Sequence, residues 1–358
     1  MRGDRSRGVW SLDATQNERV ESKANSNRDR SKFSITTKNT IFHEHLLEEQ
    51  MMVVSLVHYK EVEANPHDFN SSFHKREEAP EQDLLFDVDL DLTYFGRWMH
   101  PILCSQYVSL DDIAVFTLPK FFVNELLEIS SGALIQGHIS RSHEEELLEL
   151  LTTPWPERNE KGWFCRLDPV SLKDGVDADK PLRSKLDFIR ALASSYRGMS
   201  ALRRFQEMGR EVKVYLLPWN DTMDVDREFR VFVAPKSRGI SAISQYGWSR
   251  PFPLKDGEKH HTVAFVVSLE AVRLYTGIYH FAGEALLEQG FTFDIRLTEN
   301  VANLLGDGYN GNPCQLIELN TFGLLSGCGS ALFHWIKDYN LLYRSEQLHP
   351  IEVRFSYK

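Results

Sequence analysis

Two short segments constrain the fold most, because each places charged or amide side chains at alternate positions of an otherwise apolar run. They are Phe291-Thr292-Phe293-Asp294-Ile295 and Gln315-Leu316-Ile317-Glu318-Leu319-Asn320. Apolar and aromatic runs bounded by turn-forming residues are typical of strands, whose successive side chains point to opposite faces. In the second strand we expect Leu316 on the same face as Glu318 and Asn320, with the intervening residues facing the core.

This alternation is compatible with a metal site. If the two strands pair, Asp294 lies opposite Glu318 and Asn320. Two carboxylates and one amide oxygen suit Mg²⁺, which takes one or two carboxylates and fills its other positions with water and nucleotide phosphates. A solvated face of an antiparallel hairpin accounts for the same spacing, so the spacing leaves both interpretations open.

Length and composition predict a cytoplasmic protein with one large split domain or two to three domains. The chain has 358 residues, 42% hydrophobic residues and a net charge of −10. It lacks the apolar run of about 20 residues that a membrane helix needs, and its polar N-terminus lacks the apolar core of a signal peptide. The four cysteines have no close pair spacing, which favours a reducing compartment over a disulfide framework or a zinc site.

The chain divides by composition into four segments. We expect a disordered polar arm over 1–38, an N-terminal and central α+β lobe over 39–213, a C-terminal lobe with the metal site over 214–345, and a tail over 346–358. The apolar periodicity also predicts helices over 41–62 and 330–343.

Residues 86–92 alternate strictly and predict a strand with Asp87, Asp89 and Asp91 on one face. Such a row discourages aggregation at a sheet edge, or it binds a cation such as a metal or a guanidinium. The sequence alone leaves the two interpretations open.

The stretch between Lys180 and Lys213 is basic in an otherwise acidic protein. It contains nine basic residues against three acidic ones, and its apolar periodicity predicts helices. It is either an ordinary solvated surface or a binding surface for a phosphate-bearing partner such as tRNA.

Several motifs occur in the order found in one protein family. Glu228-Phe229-Arg230-Val231-Phe232-Val233 followed by Ile243-Ser244-Gln245 resembles the "EFRxFV … ISQ" signature of the cell division cycle protein 123 family. The Asp294 and Glu318 strands resemble its "FDI … LIDFNPFG", and Ser330-Ala331-Leu332-Phe333-His334-Trp335 resembles its "DSLLFxW". Upstream, residues 98–119 and 164–174 are similar to its "WYP … LPLP" and "FPKLNWSSPKDA" motifs. The resemblance extends from Trp98 to Trp335.

The resemblance implies an ATP-grasp-like α+β fold of two lobes, with antiparallel sheets and a cleft for ATP and Mg²⁺ between them. The residues that it places in that cleft fall into three groups. The implied metal ligands are Asp294, Glu318 and Asn320. The implied phosphate and nucleotide contacts are Arg166, Lys173, Asp174 and Arg230. The backbone of residues 214–219, including Leu217 and Trp219, would form the hinge that meets the adenine.

Five positions differ from the family pattern around the nucleotide and partner surfaces. They are Arg166 for lysine, Leu172 for proline, Tyr246 for arginine, Thr321 for proline and Gly329 for aspartate. The family's acidic tail is also missing. These differences predict a divergent paralogue rather than a housekeeping member.

Two functions follow from this resemblance. The first is an amide-bond-forming enzyme, a ligase or aminoacyl transferase similar to fungal arginine-containing cyclodipeptide synthases, with amino acids and aminoacyl-tRNA as substrates. Its candidate catalytic residues are Glu228, which orients or deprotonates the attacking amine, and Arg230. A simple ion pair between Glu228 and Arg230 accounts for the same spacing equally well. The alternative is an ATP/Mg²⁺-binding assembly chaperone for the subunits of eukaryotic translation initiation factor 2.

Overall fold

Two β-sheets organise the part of the chain that the computed structural model describes, which is residues 52–78, 88–156, 159–236, 239–254, 257–298, 313–344 and 350–358. By contacts between residues, the chain divides into Met1–Phe42 and His43–Lys358, and every element below belongs to the second unit. The predicted arm over 1–38 and the residue Asp87 lie outside the described residues.

Nine strands form the two sheets. The large sheet has the order β1-β9-β6-β5-β7-β8 and the small sheet the order β2-β4-β3. Their bounds are β1 Met52–His58, β2 Ala114–Thr117, β3 Trp163–Leu167, β4 Lys213–Pro218, β5 Glu228–Val233, β6 Ile240–Gln245, β7 Phe291–Leu297, β8 Cys314–Thr321 and β9 Ile351–Tyr357. All pairs are antiparallel except those of β9, which runs parallel to both β1 and β6.

The described helices cover both sheets. Their bounds are α1 Tyr59–Ala64, α2 Phe95–Gln106, α3 Lys120–Gln136, α4 Arg141–Leu150, α5 Lys185–Ser194, α6 Tyr196–Glu207, α7 Gly257–Phe281, α8 Glu284–Gln289 and α9 Tyr339–Leu342. Serine hydroxyls cap α4, α5 and α6 from Ser140, Ser184 and Ser195, each accepting a hydrogen bond from a first-turn amide. Such caps satisfy amides that have no partner within the helix.

The large sheet packs its apolar face against α7 and α2. Val263, Val267 and Ala271 of α7 are fully buried in this core. One helix among the described residues, over Lys259–Phe281, has the length and hydropathy to cross a membrane. Its packing against the sheet is that of a core helix of a globular fold, so its hydropathy is explained without a membrane.

Helix α2 also covers the edge of the large sheet at β8. The backbone amide of Leu316 donates to Ser105 Oγ at 2.9 Å, and Gln106 Nε2 donates to the carbonyl of Leu316 at 2.7 Å. These side chains satisfy backbone groups that an exposed edge would offer to another chain.

Three predictions of local structure are wrong. Within the predicted helix over 41–62, Met52–His58 is strand β1, since a short apolar run does not distinguish a buried strand from a helix. The predicted tail over 346–358 contains β9, which lies inside the large sheet. The predicted helix over 330–343 is reduced to α9, Tyr339–Leu342.

Two further expectations change. The described part of the predicted strand over 86–92 forms a 3₁₀ turn, Leu90–Thr93, with Asp89 as its cap. The strand β4 pairs with β2 and β3. A boundary between residues 213 and 214 would therefore cut through the central strand of the small sheet.

Candidate functional site

A row of charged residues crosses the polar face of β5, β7 and β8. Arg230 on β5 lies opposite Asp294 on β7, and Asp294 lies opposite Glu318 on β8. Asp294 is 1% exposed, Arg230 6% and Glu318 7%. The alternation of the three strands therefore brings one cation and two carboxylates side by side on one face of the sheet, between β5 and its edge strand β8.

A β-bulge sets the direction of the β8 side chains. The register shifts between Asp294 and Ile295, so that Glu318 pairs with Asp294 while Leu316 pairs with Ile295. A bulge inserts one unpaired residue, and here this puts Leu316 and Leu319 in the same apolar core. The expectation that Leu316 shares the face of Glu318 was therefore wrong.

Arg230 and Asp294 form a two-pronged ion pair. Arg230 Nε and Nη2 donate to Asp294 Oδ1 and Oδ2, each at 2.8 Å. Asn320 Nδ2 also donates to Asp294 Oδ2, at 3.1 Å, and Arg230 Nη1 donates to the carbonyl of Gly329 at 2.5 Å. Tyr246 stacks beside the guanidinium, 4.9 Å from the carbon of Arg230 to the ring centre. Asp294 thus lies between Glu318, which is opposite it in the sheet, and Asn320, which donates to it.

The small sheet contributes two cations to the same region. Arg166 on β3 is 5% exposed, and its Nη1 lies 3.2 Å from Glu318 Oε2. Its guanidinium carbon lies 4.3 Å from the ring centre of Phe95, and its Nε has no hydrogen-bond acceptor among the described residues. Lys173 Nζ, in the segment after β3, lies 5.7 Å from the ring centre of Tyr246. The site is thus made from both sheets.

These cations keep the carboxylate of Glu318 ionised. Burial alone would raise its pKa, but Lys173, Arg166 and Arg230 together lower it to about 2. Desolvation lowers the pKa of Lys173, yet the attraction of Glu318 and neighbouring acids raises it. Burial also disfavours the charged form of Arg230, but the attraction of Asp294 outweighs it and raises the pKa of Arg230 well above its ordinary value. Burial raises the pKa of Asp294 against the opposing charge of Arg230. We assign this pair as ionised because the two-pronged geometry is that of a guanidinium and a carboxylate.

Glu228 differs from the other two acids. It is 6% exposed, and its carboxylate makes no hydrogen bond or ion pair with the described residues. The possible pairing with Arg230 does not form, because Arg230 is engaged by Asp294. Burial is the main cause that raises the pKa of Glu228, and Lys173 only partly offsets it. Glu228 is therefore a buried carboxylate without a fixed partner beside a cluster of charges.

The remaining predicted nucleotide contacts are Asp174, Trp219 and Leu217, and each of them makes different contacts. Asp174 accepts hydrogen bonds from Ser195 Oγ at 2.5 Å and from the amide of Arg197 at 3.0 Å, so its carboxylate holds the start of α6. Trp219 donates its Nε1 to Asp221 and its amide to the carbonyl of Gly162. The pairing of β4 with β2 ends at Leu216, whereas its pairing with β3 continues. Leu217 therefore has one backbone edge that no described strand pairs.

The oxygens of this cluster are of the type that a magnesium ion binds. Glu318 Oε1 and Asn320 Oδ1 accept no hydrogen bond from the described residues, whereas both oxygens of Asp294 are engaged by Arg230. No group of three or more histidine, cysteine or acidic residues that could hold a metal occurs among the described residues. A hard cation would therefore meet two free oxygens and a shared carboxylate, which suits Mg²⁺ better than a softer metal.

The basic stretch between Lys180 and Lys213 is largely compensated. Lys180, Arg190 and Arg210 form ion pairs with Asp177, Glu144 and Asp91. Arg183 and Lys185 donate to the carbonyls of Glu160 and Leu151. Four of the other six basic residues form neither an ion pair nor a side-chain hydrogen bond with the described part of the chain: Arg197, Arg203, Arg204 and Lys213. The uncompensated surface is thus smaller than the sequence predicted.

Sequence reasoning missed two contributors to the site. Tyr246 was noted only as a difference from a family pattern, yet it lies beside both Arg230 and Lys173. Phe95 supports Arg166 from a helix about 70 residues upstream, and no local signal links the two. The position of Tyr246 directly after a strand that ends in polar residues was the available signal for the first.

A scan against models of protein families found no match, and neither did a search of curated proteins. Among solved structures, Cdc123 from Schizosaccharomyces pombe matches with a TM-score of 0.50 and 15% identity, over 76% of this chain and 99% of that chain. A C-terminally truncated Cdc123 from the same organism matches with a TM-score of 0.50 and 16% identity, over 74% and 96%. D-alanine–D-alanine ligase from Helicobacter pylori has a TM-score of 0.31 and 12% identity, over 73% and 60%, which is too low to support an inference.

The likeness to Cdc123 confirms the predicted fold class. The chain has a mixed α+β fold with two mostly antiparallel sheets, similar to the fold of Cdc123. An identity of 15% establishes the fold alone.

Proposed function

We propose that this protein binds ATP·Mg²⁺ where the two sheets meet and acts as an assembly chaperone for eukaryotic translation initiation factor 2. The likeness to Cdc123 covers nearly the whole of that chain, which favours this alternative over the amide-bond-forming enzyme. Nucleotide binding rests on the site rather than on the fold, because one fold serves many functions.

The observation that carries nucleotide binding is the unsatisfied donor on Arg166. A buried N–H without an acceptor is rare and costs stability, and Arg166 Nε is such a group. A phosphate oxygen would accept from it, with Lys173 and Arg230 nearby to balance the added negative charge. The free backbone edge of Leu217 offers a place for the adenine.

Glu318 and Asn320 would hold the magnesium ion, with Asp294 as the shared third ligand. When bound, the ion neutralises phosphate charge. Arg230 holds Asp294 in place by its two hydrogen bonds, and Arg166 holds Glu318. The chain's own residues therefore orient the oxygens before any ligand arrives.

Titration calorimetry with ATP·Mg²⁺ tests the proposal. Arg166→Gln should weaken binding by about tenfold or more, since a hydrogen bond to a charged group contributes about 1.5–3 kcal/mol. Lys180→Gln is the matched control, because Lys180 lies on the surface in an ion pair with Asp177. Binding weaker than about 1 mM by the unchanged protein would overturn nucleotide binding.

The chaperone role has a separate test. Purified protein is mixed with the individual subunits of the initiation factor, with and without ATP·Mg²⁺, and complexes are separated by gel filtration. We expect a stable complex that the Arg166→Gln variant forms less well. Absence of a complex under both conditions would rule out this role while leaving nucleotide binding intact.

The environment of Glu228 supports a second candidate function, which is amide-bond formation from an activated aminoacyl donor. A buried carboxylate with a raised pKa and no fixed partner has the properties of a general base. Incubation with ATP, Mg²⁺, tRNA, aminoacyl-tRNA synthetases and amino acids, followed by mass spectrometry, would detect arginine-containing products. The enzyme is supported if products form and Glu228→Gln abolishes them. It is excluded if no product forms while factor subunits bind.

A further inference from the structure

A short segment far from the site in sequence crosses the loop beside Arg230. This segment, residues 70–74, is called the strap, and the loop, residues 323–335, is called the site loop. Asn70 and Phe73 of the strap and Ala331 of the site loop have φ values of 47°, 52° and 52°. Residues other than glycine rarely adopt this conformation, which is strained and persists only where surrounding contacts enforce it.

Asn70 and Ala331 enforce each other's conformation. The amide of Asn70 donates to the carbonyl of Ala331 at 2.7 Å, and the amide of Ala331 donates to Asn70 Oδ1 at 3.1 Å. A side chain at Gly329 would overlap Asn70 Oδ1. Asparagine tolerates the left-handed region, so it can supply the acceptor while adopting the required backbone itself.

The other residues of the strap form hydrogen bonds with both ends of the site loop. Ser71 accepts from the amide of Ser330 through its carbonyl at 3.2 Å and from the amide of Trp335 through its Oγ at 2.8 Å. The amides of Phe73 and His74 donate to the carbonyls of Ser326 and Leu324 at 3.1 and 3.0 Å. The strap thus contacts the site loop along most of its length.

The fastened loop presents two groups to the large sheet. The carbonyl of Gly329 accepts from Arg230 Nη1, and the amide of Leu332 donates to Ser244 Oγ at 3.0 Å. Ser244 lies directly opposite Arg230 in the sheet. Ala331 lies between Gly329 and Leu332 in the chain. Its left-handed backbone conformation therefore directs the Gly329 carbonyl and the Leu332 amide towards Arg230 and Ser244, which are neighbours in the sheet.

We propose that Asn70 is a positioning residue for the site: by holding Ala331, it fixes the Gly329 carbonyl that keeps Arg230 against Asp294. This inference rests on the proposed function only in giving Arg230 a role in nucleotide binding. The mechanical coupling itself is independent of any ligand.

The native cysteines make it possible to measure whether Asn70 holds the site loop in place. Cys328 is buried next to Gly329 in the site loop, with its Sγ 3.2 Å from Thr292 Oγ1. Cys165 and Cys314 are buried in β3 and β8, and Cys104 is exposed. Labelling by a maleimide, located by mass spectrometry, therefore measures opening of the site loop against two buried references and one exposed reference.

Three variants separate the hydrogen bond from the backbone conformation. Asn70→Ala removes the acceptor and disfavours the positive φ, and Asn70→Gly removes the acceptor alone. Asn70→Asp keeps both the acceptor and tolerance of the positive φ. We expect Ala and Gly to raise the labelling rate of Cys328 by about tenfold, the effect of losing about 1.4 kcal/mol, without raising that of Cys165 or Cys314. Asp should restore slow labelling.

Titration with ATP·Mg²⁺ supplies the second measurement. Asn70→Ala and Asn70→Gly should weaken binding by about tenfold, and Asn70→Asp should not. The proposal is overturned if Cys328 labels at the unchanged rate in both variants, or if all three buried cysteines become labelled together, which would indicate general unfolding. If the unchanged protein fails to bind ATP·Mg²⁺, the proposed function falls, while the labelling rates still decide the role of Asn70.

Discussion

At the residue scale, the site holds two glutamates with opposite environments on one sheet face. Glu318 is surrounded by Arg166, Lys173 and Arg230, which favour its charged form, whereas Glu228 has no hydrogen-bonding partner among the described residues. A residue kept at a cost to stability is more often functional than structural. This contrast can be measured, because the two carboxylates should make stability depend on pH in opposite directions.

Replacing each glutamate by glutamine should therefore give opposite results. The pKa of Glu318 is lowered to about 2, so its ionised form stabilises the fold above the unfolded pKa of about 4.3, and this contribution is lost as pH falls towards 2. Glu318→Gln should then destabilise the protein at neutral pH, and less so in acid. The pKa of Glu228 is raised, so its ionisation opposes folding as pH rises above about 4.3.

Glu228→Gln should consequently stabilise the protein at neutral pH and have little effect in acid. Urea unfolding of the two variants from acidic to neutral pH measures both effects under identical conditions. Equal effects of the same sign would contradict the charge distribution described for the site.

Asp294→Asn should disturb both folding and ligand binding. Its carboxylate is buried and paired with Arg230, and removing one partner of a buried ion pair costs about 3–5 kcal/mol. Chemical denaturation measures the loss, and Asp68→Asn, in an exposed pair with Lys337, is the control expected to cost under about 1 kcal/mol. Equal stability of the two variants would refute the buried pair.

At the scale of elements, the fold depends on strands that join distant parts of the chain. Strand β9 lies between β1 and β6, and its first residue, Ile351, pairs with Met52. It is therefore an internal strand of the sheet that carries Arg230, although it is near the C-terminal end of the given sequence.

Phe355→Ala tests this role of β9. Phe355 is fully buried and packs against Phe229 and Phe252, so its loss should cost about 3–5 kcal/mol. Lys358→Ala, at an exposed position beyond the strand, should change the free energy of unfolding by less than about 0.5 kcal/mol. A similarly small cost for Phe355→Ala in denaturant unfolding would mean that β9 is a dispensable tail.

Helix α6 carries the uncompensated part of the basic stretch, and tRNA binding through this stretch remains a proposal. Arg203→Glu with Arg204→Glu should weaken tRNA binding by more than about tenfold and reduce its salt dependence, because phosphate contacts release counterions. The double change Lys180→Glu and Arg190→Glu is the control, since both cations already have acidic partners. Fluorescence anisotropy at several salt concentrations measures both. Equal effects of the two pairs, or no binding by the unchanged protein, would remove tRNA as a partner.

At the scale of the whole molecule, the site exists only where both sheets contribute. Arg166 and Lys173 come from the small sheet and its following segment, and Arg230, Asp294 and Glu318 come from the large sheet. A ligand that contacts both should hold them together. Tyr215 and Leu217 of β4 already pack in the apolar cluster of the large sheet, and such a ligand would strengthen this coupling between the two sheets.

ATP·Mg²⁺ should therefore raise the stability of the whole protein. At a free concentration of 100 times Kd, a ligand specific for the folded state stabilises it by about 2.7 kcal/mol. Thermal unfolding followed at increasing ATP·Mg²⁺ measures this, with ATP in the presence of a chelator as the control for the metal. A melting temperature that is independent of ligand concentration would contradict a site shared by the two sheets.

The sequence determined two strands of the site and the polar composition of their faces. Alternation is a local property, so it located β7 and most of β8, and it placed Asp294 and Glu318 on strand faces rather than in loops. Motif order then indicated the fold class that the likeness to Cdc123 confirmed. None of these inferences required knowledge of which strands pair across long distances.

The tertiary structure determined which side chains and which strands pair with one another. The side chain of Arg230 pairs with Asp294 rather than with Glu228, because pairing across strands depends on register and on the bulge beside Asp294. The pairing of β9 with β1 joins residues about 300 positions apart, and the strap meets the site loop over a similar separation. Local propensity carries no information about such contacts, since their free energy comes from burial and hydrogen bonds that exist only after the chain has folded.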